Sequence, residues 1–228
     1  MASGAEHMGT VIFDLDGTLA DTSGDLIDAA NACFRAMGQG DLLRYGADAP
    51  TAMRGGKAML RLGLSRIGRD GDEAEVDRQY PLLLEAYAGQ LNKHSFLFPG
   101  AMEAVEALKS RAYRVGICTN KPERLARELL ADMGVLEAFA SLIGADTLSV
   151  RKPDPEPLRE AVRRAGGDPA RCTLIGDTVT DRETARAAGV PSILVTFGPH
   201  GHGVADLAPE GMIDHFDELP ARVQELIG

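Results

Sequence analysis

Two carboxylates one residue apart, Asp14 and Asp16, are the residues of this sequence best placed to do chemistry. The apolar run Val11-Ile12-Phe13 leads straight into them, and Gly17-Thr18-Leu19 follows. A run with no polar alternation suits a central parallel strand covered on both faces, and ligands of such sheets gather at the carboxyl ends of the strands. Glycine after the acids lets the backbone turn sharply. The stretch therefore reads as a buried strand ending in a reactive acidic tip, where a pocket is expected.

Three later stretches offer partners. The strand Tyr113–Cys118 ends in Thr119-Asn120, followed by Lys121-Pro122 and a helical run. Thr119 or Asn120 is expected to cap that helix with Pro122 in its first turn, and the free amides of a helix N-terminus beside a hydroxyl make a phosphate site. Next, the prolines of Arg151-Lys152-Pro153-Asp154-Pro155-Glu156-Pro157 should hold a lysine in a rigid loop. Last, the strand Thr173-Leu174-Ile175-Gly176 delivers Asp177, and Asp181 follows four residues on, on the same side of the opening helix.

Charge arithmetic constrains what these residues can bind. Asp14, Asp16, Asp177 and Asp181 set four negative charges against the one positive charge of Lys152, so an anionic phosphate needs a balancing cation. The ligands on offer are oxygens, with no histidine or cysteine at these strand ends, which selects Mg2+ over Zn2+.

The string Asp-Leu-Asp-Gly-Thr-Leu after an apolar strand resembles the first signature of the haloacid dehalogenase superfamily. Thr119 resembles its second, Lys-Pro-x-Pro-x-Pro from Lys152 its third, and Gly-Asp-x-x-x-Asp over Gly176–Asp181 its fourth. All four occur in order, and the resemblance covers roughly Gly9 to Leu226. It implies a phosphoryl-transfer enzyme working through an aspartyl-phosphate. Under it Asp14 is the nucleophile and Asp16 the acid and base. Thr119 and Lys152 then hold the phosphoryl, with Asn120 beside them in substrate binding. Asp14, Asp177 and the Asp16 carbonyl ligate Mg2+, and Asp181 supports them from behind. Haloacid dehalogenases and phosphonate cleavers resemble this chain but lack an acid at the position of Asp16.

Positioning these residues calls for an α/β core, a doubly wound, Rossmann-like parallel sheet over residues 9–20 and 95–228, with a helical cap inserted after the first strand and helix over 21–94. Leu26, Ile27, Ala30, Cys33, Phe34 and Met37 recur at helical spacing behind Thr22-Ser23-Gly24-Asp25 until Gly38. From Gly40 to about Asn92 no strand signal appears. One helical stretch follows Met53–Leu60, and another spans Ala74–Leu91, which Pro81 should kink or divide. After Phe96–Gly100, helices over Ala101–Arg111, Pro122–Met133, Pro155–Ala165 and Thr178–Ala188 alternate with strands at Tyr113–Cys118, Leu142–Gly144, Cys172–Ile175 and Ser192–Thr196. Such alternation implies right-handed βαβ units. Ile213 and a helix over Glu218–Leu226 close the chain.

The cap should supply specificity. Arg54-Gly55-Gly56-Lys57 opens a helix with cations beside a Gly-rich turn, though it is not a P-loop. Its setting, with Phe-Pro-Gly at Phe98–Gly100, resembles phosphoglycolate phosphatases, which implies that Arg54 or Lys57, with Gly56, meets a substrate carboxylate. Gly198-Pro199-His200-Gly201-His202-Gly203 fails as a dinucleotide fingerprint and reads as a loop on the pocket rim. The rival readings are a β-phosphoglucomutase-like sugar-phosphate mutase and, from another class, a receiver-type phosphorylated signalling module. Asp16 and the cap weigh against the second.

The 228 residues, 44% of them hydrophobic and without a long uncharged apolar run, suit a globular protein with no membrane span. The net charge of −10 argues against nucleic acid or anionic membranes as partners. A small phosphorylated metabolite is expected, bound by a monomer or homodimer. Met1–Met8 reads as a vector-derived remnant with no secretory signal, and Cys33, Cys118 and Cys172 read as reduced core thiols, so a cytoplasmic location is expected.

Overall fold

The structure is a computed structural model and describes residues 8–228; all but Met8 of the segment read as vector-derived lies outside the described residues. The chain divides into two compact units, Met1–Ala20 with Leu97–Gly228, and Asp21–Phe96. In chain order, β1 (Gly9–Phe13) and the short β2 (Ala20–Asp21) precede α1 (Ser23–Ala36), α2 (Ala49–Ala52), α3 (Gly56–Arg66) and α4 (Glu73–Ala88). The short β3 (Phe96–Leu97) leads to α5 (Ala101–Ser110), β4 (Tyr113–Cys118), α6 (Glu123–Asp132), β5 (Leu142–Ile143) and α7 (Glu156–Arg164). Then come β6 (Cys172–Gly176), α8 (Val179–Ala188), β7 (Ser192–Val195), β8 (Gly211–Ile213) and α9 (Leu219–Ile227).

The first unit is a six-stranded parallel sheet in the order β5-β4-β1-β6-β7-β8, flanked by helices and Rossmann-like. The apolar run of β1 is fully buried, as a central strand with helices on both faces requires. Ile12, Cys118, Ile143, Leu174 and the α7 residues Leu158, Ala161 and Val162 form one face of the core. Phe13 pairs with Ile117 on β4 and with Ile175 on β6, so the acidic tip, Thr119 and Asp177 all emerge at one edge of the sheet. Gly17 makes the turn after the acids with φ +83°, a left-handed conformation that glycine alone adopts without cost.

The second unit is wholly helical apart from its strand ends, and α1 groups with it, so the insertion begins directly after the acidic turn. The buried Asp25 of α1 accepts hydrogen bonds from the backbone N–H groups of His94 and Ser95, at 2.7 and 3.0 Å, and from the Ser95 hydroxyl. Asp48 receives two bonds from the Arg66 guanidinium, at 2.6 and 2.7 Å, which hold its carboxyl below the usual range. Pro81 does not divide the third long helix. α4 runs unbroken through it, because Val76, Leu83 and Tyr87 on either side of the proline are buried together. No helix among the described residues is long and apolar enough to cross a membrane. The three cysteines are free and buried.

Candidate active site

Asp14 ends β1 with its N–H bonded to the Ile175 carbonyl of the neighbouring strand at 2.8 Å. Its carboxylate takes the Leu15 N–H at 2.8 Å and the Lys152 ammonium at 3.0 Å. Lys152, 3% exposed, also reaches Asp181 at 2.6 Å, so one buried ammonium bridges two carboxylates from opposite ends of the sequence. Burial alone would lower the lysine's pKa, but Asp14 and Asp181 raise it above its ordinary value. Asn120 donates to the Lys152 carbonyl at 3.0 Å, tying the proline-rich loop to the end of β4.

Asp177 and Asp181 are fully buried. Asp181 closes the N-terminus of α8 as half of a capping box, accepting from the Thr178 hydroxyl at 2.7 Å and the Thr178 N–H at 3.1 Å, while its other oxygen holds Lys152. Asp177 accepts from the Thr18 hydroxyl at 3.1 Å, whereas its Oδ2 is buried with no hydrogen-bond partner. One ligand atom each from Asp14, Asp177 and Asp181 lie within 4.8 Å of one another. Burial, opposed by Lys152 and aided by Asp181 and Asp16, lifts Asp14 to about 7. Burial with Asp181 and Asp14 lifts Asp177 well above the carboxylate range. An all-oxygen cluster this crowded, containing an orphaned carboxylate oxygen, fits a hard divalent cation.

Asp16 does not join that cluster through its side chain. Its Oδ1 pairs instead with Lys121 at 2.7 Å, a lysine only 6% exposed. The sequence pattern marks Thr119 and passes over Lys121, as it passes over Thr18; a lysine after a strand end reads as solvated until its partner, 105 residues away, is seen. The charge balance changes accordingly, with four carboxylates facing two ammonium groups rather than one. The difference of two is still what a divalent ion offsets.

The expected cap of α6 needs correction. Neither Thr119 nor Asn120 caps the helix; the N-cap position is Pro122, and the Glu123 N–H is taken by Asp146 at 2.8 Å, so that amide is not open to an anion. Thr119 instead accepts the Lys121 N–H at 3.1 Å, which leaves the hydroxyl proton to donate at the end of β4. Arg54, Gly56 and Lys57 lie in the helical unit at the start of α3. Lys57 pairs with Asp77 at 2.6 Å and stands over the Tyr80 ring, while Arg54 is exposed. His200 precedes a 3-10 helix over Gly201–Leu207, and His202 lies 3.8 Å from Asp214, outside the acidic cluster.

Comparison with known proteins agrees with this geometry. Residues 8–189 match the family model described as haloacid dehalogenase-like hydrolase. The chain is 37% identical over 220 residues to the phosphoglycolate phosphatase of Mesorhizobium japonicum, covering 94% of each. It is 35% identical to that of Agrobacterium fabrum, covering 95% of this chain and 93% of the relative. The fold also matches a haloacid dehalogenase-like family protein of Streptococcus pneumoniae, with a TM-score of 0.78 and 20% identity, covering 93% and 97% of the two chains. With its four strand-end motifs gathered on one edge of a parallel sheet, this chain belongs to the haloacid dehalogenase-like hydrolases.

Proposed function

We propose that the protein is a Mg2+-dependent phosphatase that cleaves a small phosphomonoester, 2-phosphoglycolate, through a phosphorylated Asp14. The observation that carries this reading is the buried Lys152 bridge, which fixes Asp14 at a strand end beside the orphaned Asp177 oxygen. The substrate comes from the likeness to the phosphoglycolate phosphatases of two bacteria.

The residues divide the work as follows. Asp14, Asp177 and the Asp16 carbonyl would hold the Mg2+, whose charge offsets the crowded carboxylates and polarises the phosphoryl oxygens. Lys152 holds the Asp14 carboxylate by one oxygen, which presents the other to phosphorus for in-line attack. The Thr119 hydroxyl and the Lys152 ammonium donate to phosphoryl oxygens as charge builds on them. Asp16 gives a proton to the departing alkoxide and then takes one from the water that cleaves the acyl phosphate, restoring Asp14. Asp181 holds Lys152 and the Asp177 and Thr178 amides in place. The helical insertion over residues 21–94 contributes to substrate choice.

Phosphate release from a panel of phosphoglycolate, hexose phosphates and nucleoside monophosphates, with and without Mg2+, tests the reading. We expect Mg2+-dependent release, fastest with phosphoglycolate and needing no bisphosphate activator. Equal rates across the panel would remove the substrate assignment. A requirement for a bisphosphate would replace hydrolysis by a mutase reaction.

A further inference from the structure

The second lysine of the core site has a role that the first cannot fill. Lys152 is committed to Asp14 and Asp181 on the side of the attacking group. Lys121 contacts Asp16, the residue that protonates the departing oxygen, and so lies on the side of the leaving group. Its position is fixed at both backbone ends, the N–H bonded to the Thr119 hydroxyl at 3.1 Å and the carbonyl accepting the Ala145 N–H at 2.9 Å. The side chain is 4% exposed. A buried ion pair adds little stability, because desolvation offsets the attraction. What it does provide is a fixed positive charge beside Asp16.

Resting on the proposed hydrolysis of phosphoglycolate, we propose that Lys121 selects for an anionic leaving group by pairing its ammonium with the carboxylate of the departing glycolate. That carboxylate is attached to the carbon next to the departing oxygen, so a cation touching the acid that protonates this oxygen is suitably placed to meet it. The expected alternative, Lys57, and Lys121 each already hold a carboxylate, Asp77 and Asp16; what separates them is that Lys121 is buried beside the reacting aspartates, whereas Lys57 is a partly exposed residue of α3 in the helical unit. The assignment moves recognition of the carboxylate from the helical unit to the core.

The test compares kcat/KM for 2-phosphoglycolate with that for ethyl phosphate, which lacks only the carboxylate function, in the wild type, Lys121→Met, Lys121→Gln, Lys121→Arg and Arg54→Ala. Taking the ratio of the two substrates on one preparation cancels the folded fraction, and Lys121→Arg, which keeps a cation beside Asp16, separates loss of the charge from displacement of Asp16. We expect the preference for phosphoglycolate to fall about tenfold to a hundredfold in Lys121→Met and Lys121→Gln, the loss of one charge-assisted hydrogen bond. It should largely survive in Lys121→Arg and in Arg54→Ala. An unchanged ratio in the Met and Gln proteins, or a collapse confined to Arg54→Ala, overturns the inference. A wild type that shows no preference for phosphoglycolate overturns the underlying reading instead, which keeps the two failures apart.

Discussion

At Asp14 the sequence asks for an ionised nucleophile, yet burial and two neighbouring carboxylates lift its pKa to about 7, against the attraction of Lys152. Asp177 is lifted in the same direction. Both groups are lifted above an unfolded aspartate, about 3.9, so between about pH 4 and about pH 7 the folded protein binds more protons than the unfolded one. Stability drawn from these groups is therefore present at low pH and lost as pH rises toward their folded values. Metal-free protein should melt at progressively lower temperature from about pH 5.5 to about pH 7.5, and Mg2+ should reverse the decline at the upper end. A melting temperature that rises with pH in chelator would contradict the clustering. Lys152→Met should cost about 3–5 kcal/mol in urea unfolding, because it strands Asp14 and Asp181 without their cation. Asp14, Thr119 and Asp177 stand where the apolar runs of β1, β4 and β6 end, which makes their positions legible in the sequence, whereas Lys152 in its proline-rich loop and Asp181 in the first turn of α8 stand out only through the resemblance to the family's third and fourth signatures. Lys121 and Thr18 were not legible, since what distinguishes them is a contact with Asp16 or Asp177 far along the chain or across a turn.

Among the elements, strands and helices fell close to their expected spans because the apolar spacing of β1, β4 and β6 and the turn residues between them point the same way. The departures have local causes. β5 is only two residues long, and α4 continues through Pro81 because its buried face spans the proline. The cap of α6 passes to Pro122 once Thr119 is engaged by the Lys121 amide. Close packing inside the helical unit was not legible at all. Gly63 of α3 lies against the buried Phe34 of α1, and a Cβ there would come within 2.1 Å of the ring. Gly63→Ala should lower unfolding stability by about 1–3 kcal/mol, since the ring has no room to withdraw. Wild-type stability in that variant, measured by urea titration, would show that Phe34 repacks freely.

For the molecule as a whole, the net charge of −10 and the buried acidic cluster point the same way, toward a protein that gains a cation rather than one that embraces polyanions. Mg2+ at a hundred times its dissociation constant should add about 2.7 kcal/mol to stability through mass action on the folded state. Asp177→Asn, which removes charge at the orphaned oxygen, should abolish most of that gain; full retention of it would place the cation elsewhere. The proposed chemistry turns on Asp14 itself carrying the phosphoryl group. The most direct measurement is to mix the protein with Mg2+ and phosphoglycolate, quench in cold acid during turnover, and locate the added phosphate by peptide mass spectrometry. A phosphate adduct is expected on the peptide containing Asp14, with neither adduct nor turnover in Asp14→Asn; an adduct on another residue, or sustained turnover by Asp14→Asn, would show that Asp14 is not the phosphoryl carrier.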